Sequence, residues 1–356
     1  VFGIGSNYFF EIAKLRAARM LWATIVKKHG VKDLKAMEMN IHAVTSEWNK
    51  TIYDPYVNML RTQTEAMSAT LGGADSLSIL SFDSVYSEGK EFGERIARNQ
   101  QLLLKEEAHF DKIVDPGAGS YYIEKLTAMV AEQAWDMFLE IESMGGFLAA
   151  LKSGFIQEKV AGNAAKRDAN VAKGREKLLG TNIFPNALES LENIPPSSPE
   201  TTEETEIRPL RIYRAAELFE KLRQDTDSSE LRPKVFMFTI GNPVMRKARA
   251  QFSSNFFAVA GYEIIDNIGF NTVTEGLKAA IEASADIVVI CSSDDEYRTF
   301  GPDIYSGLSD KATVVIAGAP DCEAELREVG IEYFINIKSD ILRTLQEFNK
   351  ILGISR

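Results

Sequence analysis

The last third of the chain alternates short apolar runs with helical segments, and this alternation constrains the fold more than any other feature of the sequence. Runs that predict strands lie at Lys234–Ile240, Tyr262–Asn267, Asp286–Cys291, Thr313–Ala317 and Glu332–Ile337. Helical patterns follow at Val244–Ala260, Val273–Ser284, Glu296–Ser306, Glu323–Val329 and Asp340–Leu352. Apolar strands joined by helices are typical of a parallel sheet covered on both faces. We therefore expect an α/β fold, with a flavodoxin-like doubly wound domain at residues 210–356.

Residues 1–146 also alternate strands and helices, but few strands are found. Strand patterns lie at Met39–Thr45, Asp75–Leu80 and Lys112–Asp115, and one more is expected at the start of the chain. A closed barrel of the TIM type needs about eight strands, so this segment predicts half of a (β/α)8 barrel. Half a barrel would expose a sheet edge. Either residues before Val1 complete it or a partner covers it, and we favour a truncated sequence.

Two helices of this segment have clear start signals. Ser6 or Asn7 can cap a helix with an apolar stripe, and Asp54-Pro55 is typical of a cap followed by the first helical residue. The stripe expected to be buried comprises Phe9, Ile12, Ala13, Ala17, Met20 and Leu21.

Residues 147–209 are expected to connect the two domains. Gly145 to Leu179 has a helical and highly charged pattern, and Asn186 to Pro209 is rich in Pro and Glu. Such a composition has little apolar surface to bury and is typical of a linker. A further helix is predicted at Arg214–Arg223.

The composition argues against several classes of function. The chain has 40 basic and 51 acidic residues, for a net charge of −11, without a block of Lys or Arg. This balance argues against nucleic acid or an anionic membrane as the main partner. No apolar run approaches the roughly 20 residues that span a bilayer. Two cysteines and three histidines fit neither a disulfide framework nor a metal site, so we expect a cytoplasmic protein that holds no metal.

Four stretches in residues 1–146 carry a specific resemblance to a known family. They are Ile4–Trp22 (IGSNYFFEIAKLRAARMLW), Leu60–Thr70 (LRTQTEAMSAT), Arg95–Glu107 (RIARNQQLLLKEE) and Val114–Thr127 (VDPGAGSYYIEKLT). In this order they resemble the second half of the barrel of the methylmalonyl-CoA mutases. The resemblance implies the C-terminal half of a substrate-binding barrel, followed by a flavodoxin-like domain that binds adenosylcobalamin in the catalytic members.

The resemblance also shows where the family's cobalamin motifs are altered. Catalytic members carry D-x-H-x-x-G after the first strand of the last domain, where the His ligates cobalt, the Asp supports it and the Gly leaves room for the nucleotide tail. Aligned on Gly241, these positions are Pro243, Met245 and Ala248. The family's S-x-L motif begins at Cys291 and ends at Ser293, and its Gly-Gly pair falls on Gly318 and Ala319. We therefore expect a degenerate site that holds no cofactor.

The barrel motifs are altered as well. The family's H-x-Q-T-S-G-W falls on His42–Trp48, where Val44 replaces the Gln and Glu47 replaces the Gly. Its polar Q-G-H-T-Q-S-L-H is replaced at Leu71–Ser78 by LGGADSLS. His42 is either a vestigial active-site residue or an ordinary histidine, and the sequence leaves both open.

These losses predict a structural role. The hypothesis is the small, non-catalytic subunit of a heterodimeric mutase, with no catalytic residue of its own, whose large subunit binds adenosylcobalamin and the CoA ester. The alternative is an active cobalamin-dependent acyl-CoA mutase that works without a lower His ligand. A third hypothesis is that another small ligand fills the vacated cleft.

A receiver domain is the remaining alternative for the last domain. Asp294, Asp295 and Lys338 follow its strands as in a phosphoacceptor site. Phosphorylation also needs an acidic pair after the first strand to hold magnesium, and residues 239–242 supply none. The two acids are therefore expected to cap the next helix.

Overall fold

The computed structural model describes residues 1–86, 90–191, 207–229 and 232–354. The chain divides into two compact units. The first comprises Val1–Lys166 and Pro195–Ala215, and the second comprises Arg167–Ile194 and Ala216–Arg356. Most of the predicted Pro/Glu-rich linker falls on residues 192–206, which lie outside the described residues. Both units contain a parallel sheet with helices, which confirms the predicted α/β class.

The first unit contains a three-stranded parallel sheet in the order β1-β2-β3. Its strands are β1 (Phe2–Ile4), β2 (His42–Thr45) and β3 (Ser76–Ser78). Its helices are α1 (Tyr8–Lys28), α2 (Val57–Leu71), α3 (Glu91–Leu102), α4 (Tyr121–Ser143) and α5 (Phe147–Lys152), and α6 (Phe155–Ala172) runs across the boundary between the units. A short π-helix at Leu103–Glu107 follows α3 directly, and 3-10 turns lie at Lys35–Met37 and Phe110–Lys112.

The buried side of α1 differs in part from the predicted stripe. Ile12, Ala13 and Ala17 are buried as expected, together with Leu15, which packs against the sheet. Phe9 and Met20, expected in the core, are 50% and 54% exposed. The helix α1 packs against both α2 and α4, and the ring of Phe9 lies at the margin of the second contact, against the ring of Tyr122.

The predicted strand at Lys112–Asp115 is wrong. A 3-10 turn ends at Lys112, Ile113 is extended, and Val114 is 96% exposed. An extended segment becomes a strand only if a neighbour takes up its backbone hydrogen bonds, and within the described residues none does. Asp115 instead bends the chain with a φ of 47° and pairs with Arg16 at 2.9 Å.

The start of α2 also differs from the prediction. Asp54 adopts a φ of 49°, and the helix begins at Val57 after a turn, rather than at Pro55. Tyr56 is the N-cap residue, and its side chain makes no capping hydrogen bond. The turn is held instead by the side-chain amide of Asn58, which donates to the backbone carbonyls of Thr51 and Phe82.

The second unit contains a five-stranded parallel sheet in the order β5-β4-β6-β7-β8. The strands are β4 (Lys234–Thr239), β5 (Glu263–Ile265), β6 (Ile287–Cys291), β7 (Thr313–Ala317) and β8 (Tyr333–Ile335). The helices are α7 (Glu217–Asp227), α8 (Pro243–Ala258), α9 (Val273–Glu282), α10 (Tyr297–Leu308), α11 (Glu323–Val329) and α12 (Ile341–Ile351). All five strands and the five helices that alternate with them lie where the sequence predicted them, with ends shifted by up to two residues.

The core of the second unit lies on both faces of this sheet. Every residue of β6 is buried, as expected for a central strand of a doubly covered parallel sheet. Phe236, Phe238 and Ile290 belong to one buried cluster, which includes Tyr297 at the start of α10. This core fixes the carboxyl ends of β4, β6 and β7 next to one another. No described helix is both long and apolar enough to cross a membrane.

Candidate functional site

The predicted junction between β4 and α8 is present, and its turn is well defined. Gly241 adopts a φ of 75°, which only glycine takes readily. Asn242 is the N-cap of α8, and its side-chain oxygen accepts hydrogen bonds from the backbone N–H groups of Val244 at 3.0 Å and Met245 at 3.1 Å. Pro243 occupies the first turn, where its missing N–H costs nothing.

The structure gathers seven of the predicted positions at the carboxyl edge of the five-stranded sheet. Pro243, Met245 and Ala248 lie on the first turns of α8, where Met245 is half-buried and the other two are exposed. The remaining four lie at the end of β6 or directly after β6 and β7: Cys291, Ser293, Gly318 and Ala319. His42 belongs to the first unit.

The thiol of Cys291 is not available for chemistry. It is fully buried at the end of β6, and burial raises its pKa to about 12. A thiol with so high a pKa stays protonated and is neither a nucleophile nor a metal ligand near neutral pH. Ala319 is exposed and presents only a methyl group.

The space beside Gly241 is filled by the carboxylate of Glu296. A β-carbon on Gly241 would lie 2.6 Å from the carboxyl carbon of Glu296. The carboxylate accepts hydrogen bonds from Asn242 N at 3.0 Å and from the hydroxyls of Ser292 and Ser293, each at 2.6 Å. Burial alone would raise the pKa of Glu296, but these hydrogen bonds outweigh it and lower the pKa to about 2.

Two further glycines at this edge are covered by charged side chains. Arg246 lies over Gly269 and donates to the carbonyl of Ile268 at 3.2 Å. A β-carbon on Gly318 would lie 2.8 Å from Asp294, which pairs with Arg249 at 3.0 Å. Asp294 was expected to cap α10 and instead forms this ion pair. The edge of the sheet is therefore covered by side chains of the same chain.

His42 is held by the neighbouring strand. Its Nδ1 lies 2.7 Å from the hydroxyl of Ser76 and its Nε2 lies 3.2 Å from that of Ser78. Both ring nitrogens therefore have partners, which favours an ordinary, satisfied histidine over a vestigial active-site residue. Nowhere in the described chain do three His, Cys, Asp or Glu side chains gather as a metal ion would require.

Glu296 is the residue of this site that sequence reasoning missed. A partial signal was present, since Ser293-Asp-Asp-Glu296 has the Ser-x-x-Glu spacing of a capping box, in which the Glu reaches back to the Ser N–H. That contact is found, with Ser293 N at 3.3 Å from Glu296. Glu296 is nevertheless the residue before α10 rather than the third residue of that helix. The additional bond to Asn242, from another strand end, is a tertiary contact that the pattern does not contain.

Comparison with known proteins identifies the family. The family model described as methylmalonyl-CoA mutase matches residues 1–235. The chain belongs to the methylmalonyl-CoA mutase family. The match confirms the resemblance of the four sequence stretches in residues 1–146.

Several curated relatives carry subunit names. The chain is 52% identical over 357 positions to the methylmalonyl-CoA mutase small subunit of Porphyromonas gingivalis, covering 99% of this chain and 58% of that protein. It is 38% identical over 303 positions to the small subunit of Streptomyces virginiae, covering 83% and 48%. It is 42% identical over 194 positions to the large subunit of Propionibacterium freudenreichii subsp. shermanii, covering 54% and 26%. The chain therefore spans about half the length of the curated relatives it matches.

The residues at the carboxyl edge do not fit cobalamin. The position that the resemblance assigns to the cobalt ligand holds Met245, whose thioether cannot replace an imidazole nitrogen, and the supporting position holds Pro243, which has no carboxylate. The Glu296 carboxylate occupies the space beside Gly241. Displacing this carboxylate would break its hydrogen bonds with Asn242, Ser292 and Ser293, which carries a cost.

Proposed function

We propose that this chain is part of the small, non-catalytic subunit of a methylmalonyl-CoA mutase. In this proposal the large subunit binds adenosylcobalamin and interconverts methylmalonyl-CoA and succinyl-CoA, and the small subunit contributes a surface that holds the large one. The P. gingivalis and S. virginiae relatives are both named as small subunits, which supports the assignment to a small subunit.

One observation carries the non-catalytic part of the proposal. The turn after β4 offers cobalt no nitrogen donor, because Met245 stands at the ligand position and Glu296 fills the space beside Gly241. A cofactor that performs radical chemistry depends on its protein for binding and for exclusion of water. A chain without the binding residues is suited to support a partner that has them.

The finer fold assignment belongs to the same proposal. We infer that residues 1–146 are the second half of a TIM-type barrel, that 147–209 connect the domains and that 210–356 form a flavodoxin-like domain. The strand order β5-β4-β6-β7-β8 supports the last part, since it is the 2-1-3-4-5 order of flavodoxin-like sheets. The parallel order β1-β2-β3 supports the first part. A cytoplasmic location is supported by two cysteines that are both buried and free.

The partner is tested by mixing this chain with a methylmalonyl-CoA mutase large subunit and measuring the mass of the product by light scattering after gel filtration. We expect a 1:1 complex, together with mutase activity that depends on the large subunit. The large subunit alone and this chain alone are the controls. Separate elution of the two chains at micromolar concentration would contradict the proposed partner, and mutase activity of this chain alone would contradict its non-catalytic role.

A further inference from the structure

The carboxylate of Glu296 is bound by a convergent set of donors. Its Oε2 atom accepts from Ser292 Oγ and Ser293 Oγ at 2.6 Å, from Asn242 N at 3.0 Å and from Ser293 N at 3.3 Å. We call these four donor groups the oxyanion cradle. All four are neutral, and within the described part of the chain no Lys or Arg pairs with Glu296. The negative charge is therefore held by hydrogen bonds alone, as in an oxyanion hole.

The cradle is built by contacts that do not involve Glu296. Ser292 and Ser293 are buried directly after β6. The backbone N–H of Ser292 donates to the Tyr297 hydroxyl at 3.2 Å, and that hydroxyl donates to the carbonyl of Ala317 at the end of β7 at 2.6 Å. Asn242 is fixed separately, because its side-chain oxygen accepts hydrogen bonds from the N–H groups of Val244 and Met245 at the start of α8. The donors are therefore pre-organised by the ends of three central strands.

The space for the anion is also provided by the backbone. Gly241 has no side chain, and a β-carbon there would collide with the carboxyl group at 2.6 Å. A position with a φ of 75° that is also in contact with the bound carboxylate admits glycine alone. The low pKa of Glu296, about 2, agrees with strong stabilisation of the anion at this place.

We propose that the cradle is an oxyanion-binding site whose internal ligand is the Glu296 side chain, and that removing this side chain opens it to a small external carboxylate. Glu296 thereby ties the end of β4 to the end of β6 and keeps the cleft at the sheet edge closed. Formate and acetate are the probes, because each presents the same two oxygens as Glu296.

The test compares the full chain with Glu296→Ala and with the triple variant Glu296→Ala, Ser292→Ala and Ser293→Ala. Binding is measured by saturation-transfer NMR from the protein to the formate proton, at constant ionic strength in chloride. We expect saturable binding to Glu296→Ala, no binding to the wild type, and affinity weaker by about tenfold or more in the triple variant, because charge-assisted hydrogen bonds are lost.

Equal binding to Glu296→Ala and the triple variant would overturn the proposal, and so would folded Glu296→Ala that binds inorganic phosphate but no carboxylate. If Glu296→Ala does not fold, the carboxyl carbon of Glu296 is titrated by 13C NMR in a Ser292→Ala, Ser293→Ala variant of the full chain. The cradle predicts that the Glu296 pKa moves up towards its ordinary value. A pKa that stays as low as in the wild type would contradict it.

Discussion

The buried ion pair between Lys50 and Glu65 gives the sharpest prediction about stability. Lys50 follows β2 and Glu65 lies on α2, and both side chains are 0% exposed. Lys50 Nζ lies 2.8 and 2.9 Å from the two carboxylate oxygens, and the Asn49 side chain bonds to both partners at 2.8 Å. Burial lowers the pKa of Lys50 and raises that of Glu65, so each charge depends on the other.

Lys50→Met removes one charge at nearly constant volume. It leaves the Glu65 carboxylate buried with only neutral partners, the Asn49 amide and the Ser46 backbone. Breaking a buried pair in this way costs about 3–5 kcal/mol. That is a large share of the roughly 5–15 kcal/mol that stabilises a typical domain. With a urea m-value of about 2 kcal/mol per M, the unfolding midpoint falls by about 2 M.

Tryptophan fluorescence reports on the first unit, which contains Lys50 and Glu65. All three tryptophans, Trp22, Trp48 and Trp135, lie in the first unit, so the fluorescence change during urea unfolding follows that unit alone. The control is Lys105→Met in the same unit, which removes an ion pair whose side chains are 62% and 64% exposed. An exposed pair contributes less than about 1 kcal/mol, so its midpoint hardly moves.

The double variant Lys50→Met with Glu65→Gln tests the reason for the loss. The neutral amide introduced by Glu65→Gln can exchange two hydrogen bonds with the Asn49 amide and leaves no buried charge, so most of the lost stability returns. A loss below about 1 kcal/mol for Lys50→Met would refute the argument. So would a double variant that is as unstable as the single one.

Three further predictions concern glycine substitutions in two helices, the ion pairs of Arg16 on α1, and the effect of low pH on stability. Gly276→Ala places a β-carbon in collision with the Phe238 ring, 2.7 Å from two ring carbons and closer still to a third, and lowers the free energy of unfolding by about 1–3 kcal/mol. Gly162→Ala, in α6 with nothing within 4 Å, raises it by about 0.5–1 kcal/mol. Both are measured in urea titrations followed by circular dichroism. Arg16→Met removes the guanidinium that pairs with Asp115 and Glu124 and whose side chain is 13% exposed. We expect it to lower the urea midpoint detected by tryptophan fluorescence, and Arg16→Lys to lower it less. The pKa of Glu296 falls from 4.5 to about 2 on folding, so its stabilisation is present above pH 4.5 and is lost towards pH 2. The stability advantage of wild type over Glu296→Gln, from urea titrations at each pH, shrinks over that range, and an advantage independent of pH would count against the low pKa.

The elements of the second unit could be predicted because its central strands are buried on both faces. A strand such as β6, with the sequence IVVIC, has to be apolar throughout, and a continuous apolar run next to a helical pattern is a strong local signal. The N-cap at Asn242 and the Pro at the first turn of α8 are local signals as well.

The features that were predicted wrongly or missed depend on contacts with residues distant in sequence. The run KIVD at Lys112–Asp115 has strand composition, but whether it pairs is decided by another strand, and Asp115 is held by Arg16 instead. Lys50 and Glu65 appear in the sequence as ordinary charges fifteen residues apart, and only the fold brings them together in the core. The substituted positions in the turn after β4 were visible from the sequence, whereas the carboxylate that fills the space beside that turn was not.

The central proposal is that this chain does not bind adenosylcobalamin. It is tested most directly by incubating the isolated full chain with adenosylcobalamin, separating free cofactor by gel filtration and recording the corrin absorbance of the protein peak. A methylmalonyl-CoA mutase large subunit treated in the same way is the positive control. The structure predicts no corrin absorbance with this chain, because Met245 gives cobalt no nitrogen and Glu296 fills the space beside Gly241. Corrin that elutes with this chain in stoichiometric amount would contradict the claim.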